Sequence, residues 1–390
     1  VNIAATTVEN YRKLKEAGIG TYILFQETYN KKSYEYLHPA GPKSNYNYHT
    51  EAMDRAMEAG IDDVGCGVLF GLNLYKYDFV GILMHAEHLE AVFGVGPHTI
   101  SVPRVRTADD IDPDEFNNAI SDETFQKIVA VLRVAVPYTG MIISTRESKR
   151  TREKVLDLGI SQISGGSRTS VGGYAEEEPE EENSAQFDIS DNRTLDQVVN
   201  WLMDLGHIPS FCTACYREGR TGDRFMSLVK SQQIGNCCQP NALMTLKEYL
   251  IDYASPETRE KGERMIQETI PKIPNEKVRR LTVEHLADIA GGKRDFRFWP
   301  PPRPRPGRGG APFHQEGAKP YEPAIHPQRQ PAAHRHLRQT QQRQILPHQR
   351  HHQPIHRPGL RGGGHHHRPG LQGHGDPRAG AVYAHRHRRL

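Results

Sequence analysis

The sequence predicts an α/β fold: a partial (β/α)8 barrel that lacks its first repeats. Two observations carry that prediction. Short apolar, β-branched runs alternate with helical runs of about 10–15 residues, the signature of a parallel sheet. Polar or glycine residues follow each run, as they do at the C-terminal ends of barrel strands, where active sites are built. Six strand–helix repeats are countable where a complete barrel has eight. The pattern opens in a helix near Val1, so the missing repeats are expected N-terminally.

Thr7–Ala17 reads as an amphipathic helix closed by Gly18. Thr21–Phe25 is a strand ending at Gln26-Glu27-Thr28. Glu51–Ala59 is helical, Asp63–Gly71 is strand-like and glycine-rich, Tyr77–Phe93 is helical and Thr99–Val102 extended. Asp122–Val134 and Ser148–Leu158 are helices, with strands at Gly140–Ser144 and Ser161–Ser164. Leu195–Leu205 is helical and Ile208–Cys212 extended. The residues following the strands include Gly65–Gly67, Arg104, Thr145-Arg146, Gly165–Ser167 and Cys212. Glu176–Asn183 (EEEPEEEN) reads as a solvated acidic loop, because like charges repel.

Charge divides the 390 residues into unlike parts. Residues 299–390 carry 16 Lys and Arg against three acids, +13, with 14 of the 21 histidines. Residues 1–298 carry 34 against 44, −10, which argues against a nucleic-acid surface there. No apolar run reaches the roughly 18 residues of a membrane span and no signal peptide is legible, so no membrane partner is expected and the cytoplasm is the default location. Five cysteines do not make a disulfide framework in a chain of this length.

Cys212-Thr-Ala-Cys215, followed at a distance by Cys238, is a spacing that brings two thiolates to one metal centre and lets a third close it. Three ligands suit a [4Fe–4S] cluster with one open iron. They equally suit part of a zinc site, with Cys237 or a histidine as the fourth ligand, and Cys237 could replace Cys238. Cys66, inside an apolar strand, reads as a packed thiol.

Several strings then occur in one order: Phe25-Gln-Glu-Thr-Tyr29, Val68-Leu-Phe-Gly71, Gly96-Pro-His-Thr-Ile-Ser101, Ser144-Thr-Arg-Glu147, Gly166-Ser167, Gly172-Gly-Tyr174, the cysteine motif and Lys293-Arg-Asp-Phe-Arg-Phe298. The set resembles the radical S-adenosylmethionine (SAM) tyrosine lyases that mature [FeFe]-hydrogenase, of the HydG type. The resemblance implies a radical-SAM barrel (1–200) and a mainly helical region holding an auxiliary iron–sulfur cluster (201–298), while residues 299–390 lie outside it and read as a disordered tail. It implies an enzyme that cleaves the tyrosine Cα–Cβ bond to p-cresol and dehydroglycine. The auxiliary [4Fe–4S] cluster, with a labile extra iron, would then form carbon monoxide and cyanide. Arg146 and Ser167 would bind tyrosine. Gln26 and Glu27 would face SAM or the substrate, and Gly65 and Gly67 would let the backbone approach the cofactor. Cys212, Cys215, Cys238 and His98 would hold the metal centre. The implied partners are other maturation proteins, a GTPase scaffold and a second radical-SAM maturase. Related thiamine-pathway lyases (2-iminoacetate synthases) share the barrel strings but lack the cysteine motif. A non-catalytic zinc module is the reading from a different class.

Two features depart from the family pattern. The C-x-x-x-C-x-x-C loop that holds the SAM-reducing cluster has no counterpart in this sequence, so this polypeptide alone is expected not to start radical chemistry. The tail is extra. It reads as a disordered basic segment, a metal-binding histidine tract or an out-of-frame translation of a GC-rich gene. The last is favoured, because a frame shift over residues 334–354 with suitable codons yields a P-loop.

Overall fold

The computed structural model describes residues 1–106, 118–168 and 189–298, together with the backbone of a strand at Gly380–His385. The expectations for Gly172–Tyr174 and Glu176–Asn183, and for the tail apart from that strand, lie outside the described residues. Five strands are parallel neighbours in chain order: β1 (Tyr22–Phe25), β2 (Val64–Gly67), β3 (Thr99–Ser101), β4 (Gly140–Ile143) and β5 (Gln162–Gly165). Helix α1 (Val8–Glu16) precedes β1. Helices α2 (Lys31–Leu37), α3 (Tyr46–Thr50) and α4 (Ala52–Glu58) lie between β1 and β2; α5 (Tyr75–Phe93) follows β2. Helices α6 (Asp122–Ala135) and α7 (Lys149–Asp157) precede β4 and β5. Helix α8 (Leu195–Asp204) and strand β6 (Ile208–Ser210) come next. Helices α9 (Ala214–Arg217), α10 (Gly222–Lys230), α11 (Gly235–Asp252), α12 (Pro256–Thr269) and α13 (Glu276–Ala290) complete the helical region.

The helices begin where the sequence supplies a cap. The side chains of Thr7, Ser121, Ser148 and Thr194 each accept a hydrogen bond from the backbone N–H three residues on. Thr194 and Gln197 form a full capping box. Strand β6 departs from the expected pattern. It does not pair with β5 but is separated from it by β7 (Gly380–His385), which is antiparallel to both. Composition cannot reveal such a pairing, because a strand's pattern records burial and not its neighbour.

The period-two alternation of the strands gives the sheet two unlike faces. Leu24, Cys66, Ile100, Met141, Ile143 and Ile163 share one core with helical residues such as Met53, Leu89, Phe125, Leu132 and Leu202. Fully burying aliphatic groups of this size contributes about 1.5–3 kcal/mol each. The opposite face carries Ile23 and Phe25, then Gly65 and Gly67, Thr99 and Ser101, Gly140 and Ile142, and Gln162 and Ser164, in register across the sheet. None of these belongs to the apolar core.

A second core joins Val199 and Met203 of α8 and Ile208 of β6 to Leu243, Leu246 and Leu250 of α11, Ile266 of α12 and Ile289 of α13. Leu195 and Phe211 pack against both cores. Asp196 reinforces the seam: its carboxylate accepts from Tyr249 Oη (3.1 Å) and Thr258 Oγ1 (2.9 Å). Among the described residues no helix is long and apolar enough to cross a membrane.

The glycine positions on the open face are tightly filled. A Cβ at Gly67 would lie 2.5 Å from Phe25 Cδ1. Gly67→Ala is therefore expected to cost about 1–3 kcal/mol, read as a lower chemical-denaturation midpoint. Gly235→Ala, with nothing within 4 Å of the added carbon, should not lower it. Equal midpoints for the two variants would refute this account of the face.

Candidate active site and cysteine centre at opposite strand ends

Side chains with chemistry gather at both ends of the parallel strands. At the C-terminal ends, β1 runs into Gln26 and Glu27, β4 into Arg146 and β5 into Ser167. The Gln26 amide donates to Thr50 Oγ1 (2.8 Å), beside a small cavity lined by Leu24, Tyr29, His49, Met53 and His85. Strand alternation ends at Glu27, which turns in a left-handed conformation toward Lys43 of the same α2–α3 segment.

Glu27 is 2% exposed and has φ 66°, a left-handed conformation that costs a non-glycine residue about 1–3 kcal/mol. Lys43 Nζ stands 2.5 Å from its Oε1. Burial works to raise the Glu27 pKa, but Lys43 outweighs it and holds the carboxyl below its ordinary value. The turn beyond Glu27 is fixed by Asp78, whose Oδ1 accepts from Thr28 Oγ1 and from the Tyr29 amide, both at 2.8 Å.

Arg146 is 3% exposed, a cation buried at the strand end and not on the surface. The Glu147 carboxylate is taken by other groups. Arg104 donates to it through Nε (2.7 Å) and Nη2 (2.6 Å), and Arg106 through Nη2 (2.6 Å). Arg104 also binds Asp122 and the Ile120 carbonyl. Thr145 is pinned from the far side, its carbonyl accepting from the amides of Ser190 and Asp191, both at 3.0 Å. Burial lowers the Arg146 pKa to about 10, while the charges of Glu27 and Glu147 oppose the shift. A cation raised from a strand end, with its sequence neighbour already satisfied, is suited to pairing with a carboxylate ligand. Ser167 is half-buried and follows Gly166, whose φ is 61°.

The cysteines lie at the other end. Asp63 and His98 immediately precede β2 and β3, and His98 Nδ1 is 3.5 Å from Asp63 Oδ2. Asp63 Oδ1 accepts from the Gly222 amide (2.9 Å), which ties the start of α10 to the start of β2. The His98 ring packs on Phe225 (centroids 4.8 Å apart) and faces Tyr216, the residue after Cys215 (6.1 Å). Cys212, grouped by sequence with the C-terminal strand-end residues, therefore belongs to a segment that docks on the N-terminal ends of β2 and β3.

Cys212, Cys215, Cys237 and Cys238 surround Arg220, which is 1% exposed and donates to Cys215 Sγ through Nε (3.3 Å) and Nη2 (3.1 Å). Burial raises all four thiol pKa values, and Arg220 opposes each shift. Cys238 senses both Cys212 and Cys215, whereas Cys237 senses Arg220 and Cys215. Among the described residues no group of three or more His, Cys, Asp or Glu side chains is arranged to hold a metal ion. The donor set is chemically suited to an anionic iron–sulfur cluster: thiols able to ligate, with a buried cation to balance the charge. Cys66 stands apart in the apolar core, its thiol pushed up to about 12 by burial.

Lys43, Asp78, Arg104 and Arg220 were not singled out as site residues by sequence. Arg104 follows a strand and Arg220 lies five residues after Cys215, but each depends on a long-range partner that spacing does not reveal.

The fold and these two constellations define an α/β protein with polar chemistry at both ends of a parallel sheet. Residues 101–208 match the Biotin and Thiamin Synthesis associated domain. The chain is 31% identical over 203 residues to 2-iminoacetate synthase of Salmonella typhimurium, covering 52% of each protein. It is likewise 31% identical over 201 residues to the Escherichia coli enzyme of that name. The chain thus spans about half the length of the curated relatives it matches. Within the class it is similar to HydG, a maturase of the [FeFe]-hydrogenase. One HydG crystal structure matches at 58% identity and a TM-score of 0.73, over 76% of this chain and 64% of that one. HydG from Carboxydothermus hydrogenoformans matches at 41% and 0.60, over 73% and 62%.

Asp78 supplies a pH test of the Glu27 turn. Burial pushes its pKa up to about 6, against the bonds from Tyr29 and Thr28, compared with about 3.9 for an unfolded Asp. A raised carboxyl favours the folded state below the unfolded pKa, and that contribution is lost as pH rises through 6. The stability of the wild type relative to Asp78→Asn should therefore grow by up to about 3 kcal/mol between pH 7 and pH 4. Denaturant titrations across that range that give a constant difference would refute it.

Proposed function

We propose that this chain is the catalytic-barrel and auxiliary-cluster portion of a radical-SAM tyrosine lyase that serves [FeFe]-hydrogenase maturation. The observation that carries the reading is the cysteine constellation around Arg220, set beside His98 at the strand ends opposite Arg146. It distinguishes this reading from a thiamine-pathway 2-iminoacetate synthase, which the shared barrel strings alone would allow. The division is a barrel over residues 1–200 and a cluster-binding region over 201–298.

At the C-terminal edge, Arg146 binds the carboxylate of tyrosine and Ser167 adds a hydrogen bond. Glu27, kept ionised by Lys43, meets the cationic amino group of substrate or SAM, and Gln26 supports its turn from the helix side. Gly65 and Gly67 lie on the face beside the cofactor, with Ile23 and Phe25 covering the space a Cβ would take. When bound, SAM and its reducing cluster supply the radical that starts Cα–Cβ cleavage to p-cresol and dehydroglycine. This chain has no C-x-x-x-C-x-x-C spacing to ligate that reducing cluster. At the other end, Cys212, Cys215 and Cys238 would hold an auxiliary [4Fe–4S] cluster. His98 would hold its labile iron, and the centre would supply the chemistry that forms carbon monoxide and cyanide. The partners are a GTPase scaffold and a second radical-SAM maturase, and the setting is cytoplasmic.

Anaerobic reconstitution of the full chain with iron and sulfide should give one cluster signal by EPR, lost in Cys212→Ala and Cys215→Ala. Stoichiometric zinc, or no cluster, would leave only a barrel. Separately, Arg146→Lys should weaken tyrosine binding about tenfold or more in equilibrium dialysis, since the lysine cannot make the paired contact. Unchanged binding would remove Arg146 from the substrate site.

A further inference from the structure

We propose that Arg220 sets the reduction potential of the iron–sulfur cluster held by Cys212, Cys215 and Cys238, through N–H···S hydrogen bonds to Cys215. The proposal rests on the cluster reading above and assigns a task to a residue that is not a ligand. Arg220 is enclosed at 1% exposure, so its charge is screened little by solvent. Its neighbours on the same segment behave differently. Arg217 and Arg297 are more exposed and pair with Asp295 and Glu218 at the surface.

The Arg220 guanidinium is held in position along its own chain. The Arg220 amide donates to the Cys215 carbonyl (2.8 Å) and closes the turn after α9. Two residues on, Gly222 has φ 55° and its amide is fixed on Asp63 Oδ1. A Cβ at Gly222 would lie 2.8 Å from the Asp62 side chain, so the loop passes where only glycine fits. The side chain therefore enters the thiol cluster from a backbone anchored at both ends. Its Nε and Nη2 reach the same sulfur at 3.3 and 3.1 Å.

Hydrogen bonds to a ligating sulfur withdraw electron density from it, and hydrogen bonding and net charge are main determinants of cluster potential. One-electron reduction by an external donor makes the cluster more negative. A buried cation beside Cys215 favours that reduced form and raises the potential. A substitution that removes the charge should make reduction harder without removing a ligand.

The test is an EPR-monitored dithionite titration of the reconstituted full chain, wild type against Arg220→Lys and Arg220→Gln, with iron content measured in parallel. Arg220→Gln should keep its iron and titrate at a more negative potential. Arg220→Lys, which keeps the charge but loses the planar fork, should fall between. Both variants titrating at the wild-type potential would overturn the proposal. If the glutamine variant does not retain a cluster, the lysine variant decides: a potential equal to wild type overturns the proposal and a more negative one supports it. No cluster in the wild type would instead overturn the metal assignment on which it rests, and is told apart because no potential exists to compare.

Discussion

The alternation of side chains along five short parallel strands, with one face spent entirely on the helices, constrains everything else in the molecule. Each strand has only three or four residues, so a slip of one position would exchange the faces. Met141, Ile143 and Ile163 would then leave the core, and Gly65, Gly67, Thr99 and Ser101 would enter it. The penalty for that exchange fixes the register. The register in turn sets where β1 ends, and so delivers Gln26 and Glu27 to the segment that carries Thr50 and Lys43. The open face is shallow because glycines and hydroxyl residues occupy it, which keeps it free of the aliphatic packing that fills the other side.

Charge is buried at both strand ends, and the two ends treat it differently. At the C-terminal edge buried carboxylates are answered by cations. Lys43 answers Glu27, and Arg104 with Arg106 answers Glu147. Desolvating such groups costs several kcal/mol per ion, and pairing returns it only with good geometry. The bidentate Arg104–Glu147 contact supplies that geometry. At the cysteine end the cation is answered by thiols. This balance is incomplete while the thiols are neutral.

The sequence made the strand–helix alternation legible because burial and capping are local. Thr7, Ser121, Ser148 and Thr194 stand where helices start, and β1 to β5 fall on the apolar runs. Helices α2 and α3 escaped notice, since their tyrosine-rich stretch from Lys31 to Thr50 shows no apolar period. Yet this segment delivers Lys43 to Glu27 and Thr50 to Gln26. The motif residues were legible by resemblance. What held them was not, because Asp78, Arg104 and Arg220 act through partners 5 to 50 positions away. The end of the barrel to which the cysteines attach was also hidden. Cys212 follows a strand, as Glu27 and Arg146 do, but the Asp63 contact carries its segment to the opposite edge.

That placement has a chemical consequence. Asp63 and His98 lie one residue before β2 and β3, and Gly67 and Ser101 end the same strands. The cysteine centre and the open face are thus joined by strands too short to flex independently. Closely packed interiors move between discrete arrangements more readily than they deform. A change in how His98 is held would therefore be resisted by the sheet and not absorbed by a loop. Each site can be tuned by its own buried cations, Lys43 and Arg146 on one side and Arg220 on the other, without disturbing its counterpart.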